Sequence, residues 1–464
     1  MNIFIVGCDK FGSLLARRLS AEGHDITVID KDRHRLQALA DSSDVIGYIG
    51  NGTSFRMLSE AGIENADIFI AVTGEDETNL LACVIAKKAG DKLYTAARVQ
   101  DLTYFTERVY LRQSLGISVI VNPSLMAATE IARLTRTPET MAISTFARGR
   151  AEVQTVTLPQ KSSLVGLPLS KMKQKYNTDV LVCAVKRGSE TSIPRGDFVF
   201  ETGDVISVTG SPSEVAKFFS KSDISTHKVR SVLIFGGGEI ANYIAFQLSK
   251  MNMNIKIIEE DPTRCEELSE ELSDDVLIIN GSSSDSELLD EEGLDSSDAV
   301  IAVTDVDSEN MMLSLLTAAR NKTALRVTKL KELPFDEVLE TLNLGPVVCP
   351  TELAAEQIIQ YVRSLHNSVG ISVETLYRIL GGRVEALEFI INSESDVTGI
   401  PLAEMNLRHD VLICSIIRRG KIINPGGGDS IMVGDSVVAV TTRTGVKSIY
   451  DLFEGGKIRR ADVK

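Results

Sequence analysis

The sequence predicts an α/β chain built from two tandem doubly wound parallel-sheet domains, each followed by a small α+β domain. Three observations carry this expectation. Short β-branched runs alternate with amphipathic stretches, the pattern of parallel strands covered by helices on both faces. A glycine-rich turn joins a strand to a helix at the head of each half. The chain also repeats itself: MNIFIVGCDKFGSLLARRLSAEGHDITVID returns as VLIFGGGEIANYIAFQLSKMNMNIKIIEED, without gaps. Gly7 then corresponds to Gly236, Asp30 to Glu259 and Gly52 to Gly281, all 229 residues apart. Further on, ADIFIAVTGEDETN matches SDAVIAVTDVDSEN, and Asn79 and Asn310 stand 231 apart, so two residues are inserted between these landmarks.

In chain order, the first large unit reads as a strand at NIFIVG, a helix through SLLARRLSAEG, a strand at DITVID and a helix through DRHRLQALAD. Strands at VIGYIG and ADIFIAVTG follow. The first small unit carries VQTVTL, VLVCAVKRG and DVISVTG, short runs punctuated by Gly and Pro that suit antiparallel pairing. Its counterpart places Pro401 opposite Pro168 and Gly434 opposite Gly203. NPSLMAATEIARLTR and CPTELAAEQIIQYVRSL have helical apolar spacing, with proline at or near the first turn. Each is accounted for as an ordinary packed helix, and Arg133, Arg136 and Arg363 read as a solvated face. The expected domains are 1–138, 139–223, 229–366 and 367–455, with a polar hinge at SKSDISTHK between the halves.

The glycine turns carry the functional signal. Each follows a strand and opens a helix, and each second strand ends in a carboxylate, Asp30 or Glu259, at the spacing of a Rossmann-type dinucleotide site. The first glycine allows the turn, the second lets backbone approach a pyrophosphate, and the helix N-terminus offers N–H donors. The carboxylate accepts from a ribose diol. With no Arg beside it to receive a 2′-phosphate, plain ribose is favoured over the NADP type. In the second half the pattern is Gly236, Gly238 and Ala241, flanked by Gly237, Glu239 and Ile240, and that loop is expected to bind. In the first, Gly7 and Gly12 remain but Asp9 replaces the middle glycine, between Cys8 and the pair Lys10 and Phe11. Asp9 sets a Cβ and a negative charge where the pyrophosphate would lie. Lys10 offsets it in an altered nucleotide mode; otherwise the fold is kept and binding lost.

Other polar groups fall at strand ends, where ligands of such sheets lie. They are Asn51, Gly52 and Thr53 after the third strand, Thr73 and Gly74 after the fourth, and Arg98 ending the fifth. The counterparts expected in the second half are Asn280, Gly281, Ser282, Thr304 and Arg326. Singly each is explained as a turn former or strand-end cap; recurrence favours a site.

Composition bounds the rest. The 464 residues have room for about three domains, and 43% are hydrophobic, enough for several soluble cores. The longest apolar runs, such as IFIAV, fall far short of the roughly 20 residues of a membrane helix. No leader pattern precedes the first strand, so a cytoplasmic protein is expected. A net charge of −15 argues against nucleic acid as a partner. Six cysteines and five histidines are scattered without metal-ligand spacing, and Cys8 reads as a small buried residue. No catalytic residue is assigned.

The signatures GCDKFG…ITVID…GNGT…AVTGEDETN and GGGEIA…KIIEED…NGSS…AVTDVDSEN, with paired PL…GD lobes, resemble the TrkA family across essentially the whole chain. These are peripheral subunits of Trk-type potassium uptake systems. The resemblance implies two RCK (KTN) modules, each a Rossmann-like lobe, a crossover helix exchanged between lobes, and an RCK C-terminal (TrkA-C) lobe. It implies a homo-oligomer, a tetrameric ring on the inner face of the cell membrane beneath a TrkH/TrkG-like potassium-translocating subunit. Its ligands would be NAD(H), with ATP/ADP as further candidates, and the small lobes would hold subunits together or take a second effector. The ligand positions would be Gly7 to Phe11, Asp30, Thr73, Gly74 and Arg98, then Gly236 to Ile240, Glu259, Thr304 and Arg326. Two alternatives remain: a soluble NAD-dependent oxidoreductase, which needs an acid or base at the nicotinamide end, and a nucleotide-sensing scaffold without a transporter.

Overall fold

The computed structural model describes all residues except 91, 137–139, 148, 189, 225–228, 333–341, 367–372, 381, 444, 447 and 457–464. The expected boundaries at 138/139 and 366/367 and the last four residues of the hinge adjoin or lie outside the described residues.

The first parallel lobe runs β1 (Asn2–Val6), α1 (Lys10–Ala21), β2 (Asp25–Asp30), α2 (Arg33–Ser42), β3 (Ile46–Ile49), α3 (Phe55–Glu60), β4 (Ile68–Ala71), α4 (Asp76–Ala89), β5 (Tyr94–Arg98), α5 (Leu102–Thr106), α6 (Arg108–Leu115), β6 (Val119–Val121) and α7 (Pro123–Arg136). Its six strands order as β3-β2-β1-β4-β5-β6, all parallel. This order reverses direction between β1 and β4, which opens a crevice at the strands' carboxyl ends. β1 and β4 are continuous apolar runs because helices cover both faces; Ile3, Ile5, Ile68 and Ile70 have no exposed surface. Helix α1 turns Phe11, Leu15 and Leu19, one face at helical spacing, into the core.

The first small lobe comprises β7 (Thr140–Phe146), β8 (Ala151–Thr157), α8 (Leu169–Tyr176), β9 (Val180–Arg187), β10 (Glu190–Ser192), β11 (Val205–Gly210) and α9 (Pro212–Lys221). Its sheet is antiparallel, ordered β10-β9-β11-β8-β7.

The second parallel lobe repeats the first: β12 (Ser231–Phe235), α10 (Glu239–Ser249), β13 (Asn254–Glu259), α11 (Pro262–Glu271), β14 (Val276–Asn280), α12 (Ser286–Glu291), β15 (Ala299–Ala302), α13 (Asp307–Arg320), β16 (Leu325–Lys329), β17 (Val347–Val348) and α14 (Pro350–His366), with strand order β14-β13-β12-β15-β16-β17. The second small lobe has β18 (Val373–Ile379), β19 (Val384–Ile390), β20 (Val411–Arg418), β21 (Lys421–Ile423) and β22 (Ser436–Thr441), ordered β18-β19-β22-β20-β21.

One difference separates the small lobes. Where the first has α8, the described residues of the second have only a 3₁₀ turn at Leu402–Glu404. Fifteen residues run from Gly399 to Ile413 against seventeen from Gly166 to Val182, and the two missing residues remove half a helical turn.

The lobes group in like pairs. Met1–Arg136 with Val229–Val362 form one compact unit, and Thr137–Lys228 with Arg363–Lys464 form another. Within the first unit, α7 lies on the other half's lobe: Ala127, Ala128 and Ile131 share a core with Ile240, Tyr243 and Ile244 of α10. In the reverse direction α14 meets α1, where Arg18 pairs with Glu352 and, at 3.7 Å, with Glu356. The two helices therefore cross between lobes of one chain. Arg133 departs from the expected solvated face: its side chain is 15% exposed and pairs with Glu130 one turn earlier. Within the second unit, Val153, Cys183 and Ala184 share a core with Val384, Cys414 and Val438. The Gly-Asp signature of the small lobes is structural. Gly203 and Gly434 take φ of +84° and +88°, and the next residues, Asp204 and Asp435, are buried and clamped bidentately by Arg187 and Arg418 at 2.7–2.9 Å.

Candidate functional site

The crevice of each parallel lobe is built from the β1-type turn outward. Gly7 and Gly236 adopt φ of +103° and +95°, and a Cβ on either would press on the backbone after β4 or β15, about 3 Å away. Only glycine suits that turn. The next residue donates its N–H to the carboxylate ending the second strand: Cys8 N to Asp30 Oδ2, and Gly237 N to Glu259 Oε2, both at 2.5 Å. The other carboxylate oxygens accept from Asp32 N at 2.8 Å and Asp261 N at 2.9 Å. Residue size is matched across the pair. A Cβ on Gly237 would stand 2.9 Å from Cγ and Oε2 of Glu259, so the longer carboxylate goes with glycine and the shorter Asp30 with Cys8. Cys8 is 1% exposed and burial pushes its thiol above the ordinary range, the behaviour of a structural thiol.

The middle position separates the halves chemically but not conformationally. Asp9 has φ −71° and ψ −172°, Gly238 φ −65° and ψ −179°. Open space surrounds the place a Cβ of Gly238 would take, so no protein contact demands glycine there. In the first lobe the Asp9 carboxylate caps α1, accepting from Phe11 N and Gly12 N at 3.0 Å each, and lies 3.5 Å from Arg98 Nη1. It thus occupies the helix N-terminus itself, as an incoming anion would. In the second lobe Gly238 provides no side-chain cap to α10 and itself lines the crevice. Lys10, expected to offset Asp9, pairs instead with Glu332 from the loop after β16, with its side chain 79% exposed.

The strand-end residues are tied into the turns after their strands, and one of the expected counterparts is corrected by register. Thr73 N and Oγ1 donate to the buried Asn79 at 2.7 and 2.8 Å, and Asn79 in turn donates to the carbonyls of Thr73 and Arg98 at 3.0 Å. Asn310 likewise accepts from Thr304 N and donates to the carbonyls of Thr304 and Lys329, while Thr304 Oγ1 donates to Glu309 instead. Register therefore makes Lys329, not Arg326, the counterpart of Arg98. Ala71 pairs with Ala97 and Ala302 with Thr328, so Arg326 sits near the amino end of β16, away from the crevice, with Asn343 as its partner at 3.0 Å. Arg326 matches Arg98 in residue type but stands 228 residues on, where the register requires 231. Lys329 is 5% exposed, reaches toward Asp305 at 3.4 Å, and its ammonium is pushed below the usual lysine range by burial.

Asn51, Gly52 and Thr53 form the turn after β3, where Asn51 Oδ1 accepts from Thr53 N and Oγ1 at 3.1 and 2.9 Å, and a Cβ on Gly52 would collide with Val6. Asn280 Nδ2 ties down the carbonyls of Glu259 and Glu260 at 3.0 Å, and Ser282 bonds Glu260. A Cβ on Gly74 would meet open space. The sequence reading also missed the arginine beside the second loop. Arg264 Nε donates to the Gly237 carbonyl at 2.8 Å, while its other nitrogens meet Glu267 and Glu271. The i+5 spacing from Glu259 was the available signal.

In the second lobe a cavity of about 200 Å³ is bounded by Gly236, Gly237, Gly238, Glu259, Thr304 and neighbouring residues. A glycine turn, an uncapped helix start and a strand-end carboxylate fit a ribose and a pyrophosphate. Among the described residues no group of His, Cys, Asp and Glu is placed to hold a metal, and no helix is long and apolar enough to cross a membrane.

Comparison with known proteins follows the same division. The TrkA-N domain model matches residues 3–123 and 232–350, and the TrkA-C domain model matches 153–222 and 386–454. A protein of Archaeoglobus fulgidus called Trk system potassium uptake protein TrkA homolog is 31% identical over 98% of this chain and 100% of its own length. The chain belongs to the TrkA family. A TrkA protein of Halomonas elongata is 28% identical over 98% of the chain and 99% of its own length. Among solved structures, the GsuK channel and the GsuK channel bound to NAD each align with a TM-score of 0.61 at 17% identity, over 95% of this chain and 76% of theirs. The crystal structure of the GsuK RCK domain aligns at 0.60 over 92% of its length. At that identity the likeness concerns the fold. The crevices described above thus belong to the two TrkA-N domains, and the Gly-Asp clamps to the two TrkA-C domains.

Proposed function

We propose that this chain is the regulatory nucleotide-binding subunit of a Trk-type potassium uptake system, and that ligand in its crevices gates a membrane potassium-translocating subunit allosterically. The observation that carries the proposal is the recurrence, at the switch point of both parallel lobes, of a glycine turn whose amide is held by a strand-end carboxylate. Asp30 and Glu259 keep acceptor capacity beyond their loop bonds, and a ribose diol fits it. The proposed ligands are NAD(H) and adenine nucleotides, ATP or ADP. The contacting residues would be Gly7 to Phe11, Asp30, Asn51 to Thr53, Thr73, Gly74 and Arg98 in the first lobe. In the second they would be Gly236 to Ile240, Glu259, Asn280 to Ser282 and Thr304.

Full-length relatives named for Trk potassium uptake support the transport assignment. Regulation is favoured over hydride transfer because the residues lining the second crevice are glycines, hydroxyls, carboxylates and two apolar groups. None is the His, Lys or Tyr that such chemistry uses as a positioned acid or base. Nucleotide then acts by binding one arrangement of the assembly better than another, since equal affinity shifts nothing. A coupling of about 1–3 kcal/mol biases a gate several-fold or more. The chain would work as a homo-oligomeric ring, peripheral on the inner membrane face, with the four lobes divided near 138, 223 and 366.

The test is potassium flux into vesicles holding the membrane subunit together with this chain. Flux is expected to change when NADH, NAD, ATP or ADP is added, and the response is expected to vanish in Asp30→Ala/Glu259→Ala. Flux indifferent to every nucleotide would overturn the gating proposal.

A further inference from the structure

The two crevices share a backbone and differ in charge. At equivalent positions Lys10 of the first lobe becomes Glu239 in the second, Lys31 becomes Glu260, Gly74 becomes Asp305 and Thr78 becomes Glu309. Glu259, Glu260, Asp305 and Glu309 all line the second cavity, and no lining residue is cationic. Glu309 spans that cavity: its carboxylate accepts from Thr304 Oγ1 at 2.9 Å and from Ser283 Oγ. Two basic groups near it are diverted. Arg264 is committed to Glu267 and Glu271, and Lys329 is buried beside Asp305. The first crevice has the opposite character. Arg98 is 17% exposed, its Nε is buried without a hydrogen-bond partner, Nη2 donates to Gln100 Oε1 at 3.0 Å, and among the described residues Asp9, at 3.5 Å from Nη1, is the one carboxylate paired with it. Lys31 is exposed at the end of β2.

Helix N-termini divide the same way. Asp9 fills the start of α1, where a pyrophosphate esterified at both ends would lie, and leaves Arg98 and Lys31 for charge placed further out, Lys10 being turned to Glu332. Gly238 leaves the start of α10 open, while the carboxylates beyond it oppose a terminal phosphate chain.

We propose that the crevices sort nucleotides by phosphate chemistry: the first takes a nucleoside di- or triphosphate, read by Arg98 and Lys31, and the second takes a dinucleotide, a pyrophosphate diester, while Glu260, Asp305 and Glu309 exclude free polyphosphate tails. This rests on the nucleotide-binding proposal above and reverses the rank that the glycine pattern alone suggests, since the irregular loop becomes the polyphosphate site. One chain then reports two different ligands.

The experiment is calorimetric titration of the full chain with ADP and with NAD, on Glu259→Ala to isolate the first crevice and Asp30→Ala to isolate the second. The first crevice is expected to prefer ADP, and the second NAD, each on the order of tenfold. On the Asp30→Ala background, Asp305→Gly/Glu309→Thr, which installs the first lobe's residues, is expected to raise ADP affinity about tenfold. Lys31→Glu on the Glu259→Ala background is expected to lower it. Should either single-site chain fail to fold, the native chain is saturated with NAD and then titrated with ADP; a further equivalent of ADP is expected. Equal ranking of the ligands in both crevices, direct competition in the native chain, or no gain of ADP affinity in the exchange variant overturns the sorting and leaves the nucleotide proposal standing. Binding of neither ligand to any form overturns the nucleotide proposal itself.

Discussion

Asp9→Gly gives the first loop the residue of the second, and its effects on stability and on binding have opposite signs. In the unliganded protein it removes a cap that accepts two amide hydrogens at 3.0 Å and a partner of Arg98 at 3.5 Å. Replacing an Asp cap by glycine costs a few tenths of a kcal/mol, and an ion pair of this exposure contributes about 0.2–1 kcal/mol. The unliganded first lobe is therefore expected to lose about 1 kcal/mol. For a diester pyrophosphate the sign reverses. A carboxylate about 4 Å from a phosphate oxygen opposes it by about 4 kcal/mol at an effective dielectric of 20. The Asp9 side chain is 33% exposed, and solvent and salt reduce that to about 1–2 kcal/mol, roughly a tenfold gain in affinity or somewhat more. The assay is thermal unfolding of Asp9→Gly on the Glu259→Ala background, with and without NAD. A lower melting temperature without ligand and a larger NAD-induced rise are expected together. An NAD response unchanged from that of the Asp9 chain would refute the assignment of Asp9 as the resident anion of that helix start.

Two further substitutions probe the frame around the sites. Gly237→Ala places a Cβ against Glu259 and Leu268 and is expected to destabilise by about 1–3 kcal/mol; adding Glu259→Asp, the pairing of the first lobe, is expected to recover part of this in a double-mutant cycle read by urea unfolding, and strict additivity would contradict the size-matching argument. Arg187→Ala leaves the buried Asp204 carboxylate without its bidentate partner and is expected to cost about 3–5 kcal/mol, with Arg418→Ala similar through Asp435; a loss below about 1 kcal/mol by urea unfolding would show that the clamp is not structural.

The parts of this fold that are legible in the sequence are those with a local signature. A glycine held at φ near +100°, a strand buried on both faces and a carboxylate ending β2 or β13 each leave a mark within about thirty residues, and duplication doubles it. What lies between elements leaves none. Asp9 reads in sequence as a charge opposed to phosphate, because its two amide bonds and its approach to Arg98, 89 residues on, exist only once the chain is folded. Lys329 was hidden behind Arg326 because residue type was matched where register decides. Glu309 escaped notice because a carboxylate in the first turn of a helix is ordinary for helix stability, Asp305 because it lies in the turn just before that helix, and only the fold turns them into a crevice. Exchange of α7 and α14 between lobes is a tertiary fact that the apolar spacing of either helix leaves open.

The account depends most on two ribose-reading crevices in each chain, and the direct measurement is the stoichiometry of nucleotide binding. Equilibrium titration of the native chain with NAD and ADP together should reach two bound nucleotides per chain, falling to one in Asp30→Ala and one in Glu259→Ala. Stoichiometry unaffected by both substitutions, or an absence of binding in the native chain, would contradict it.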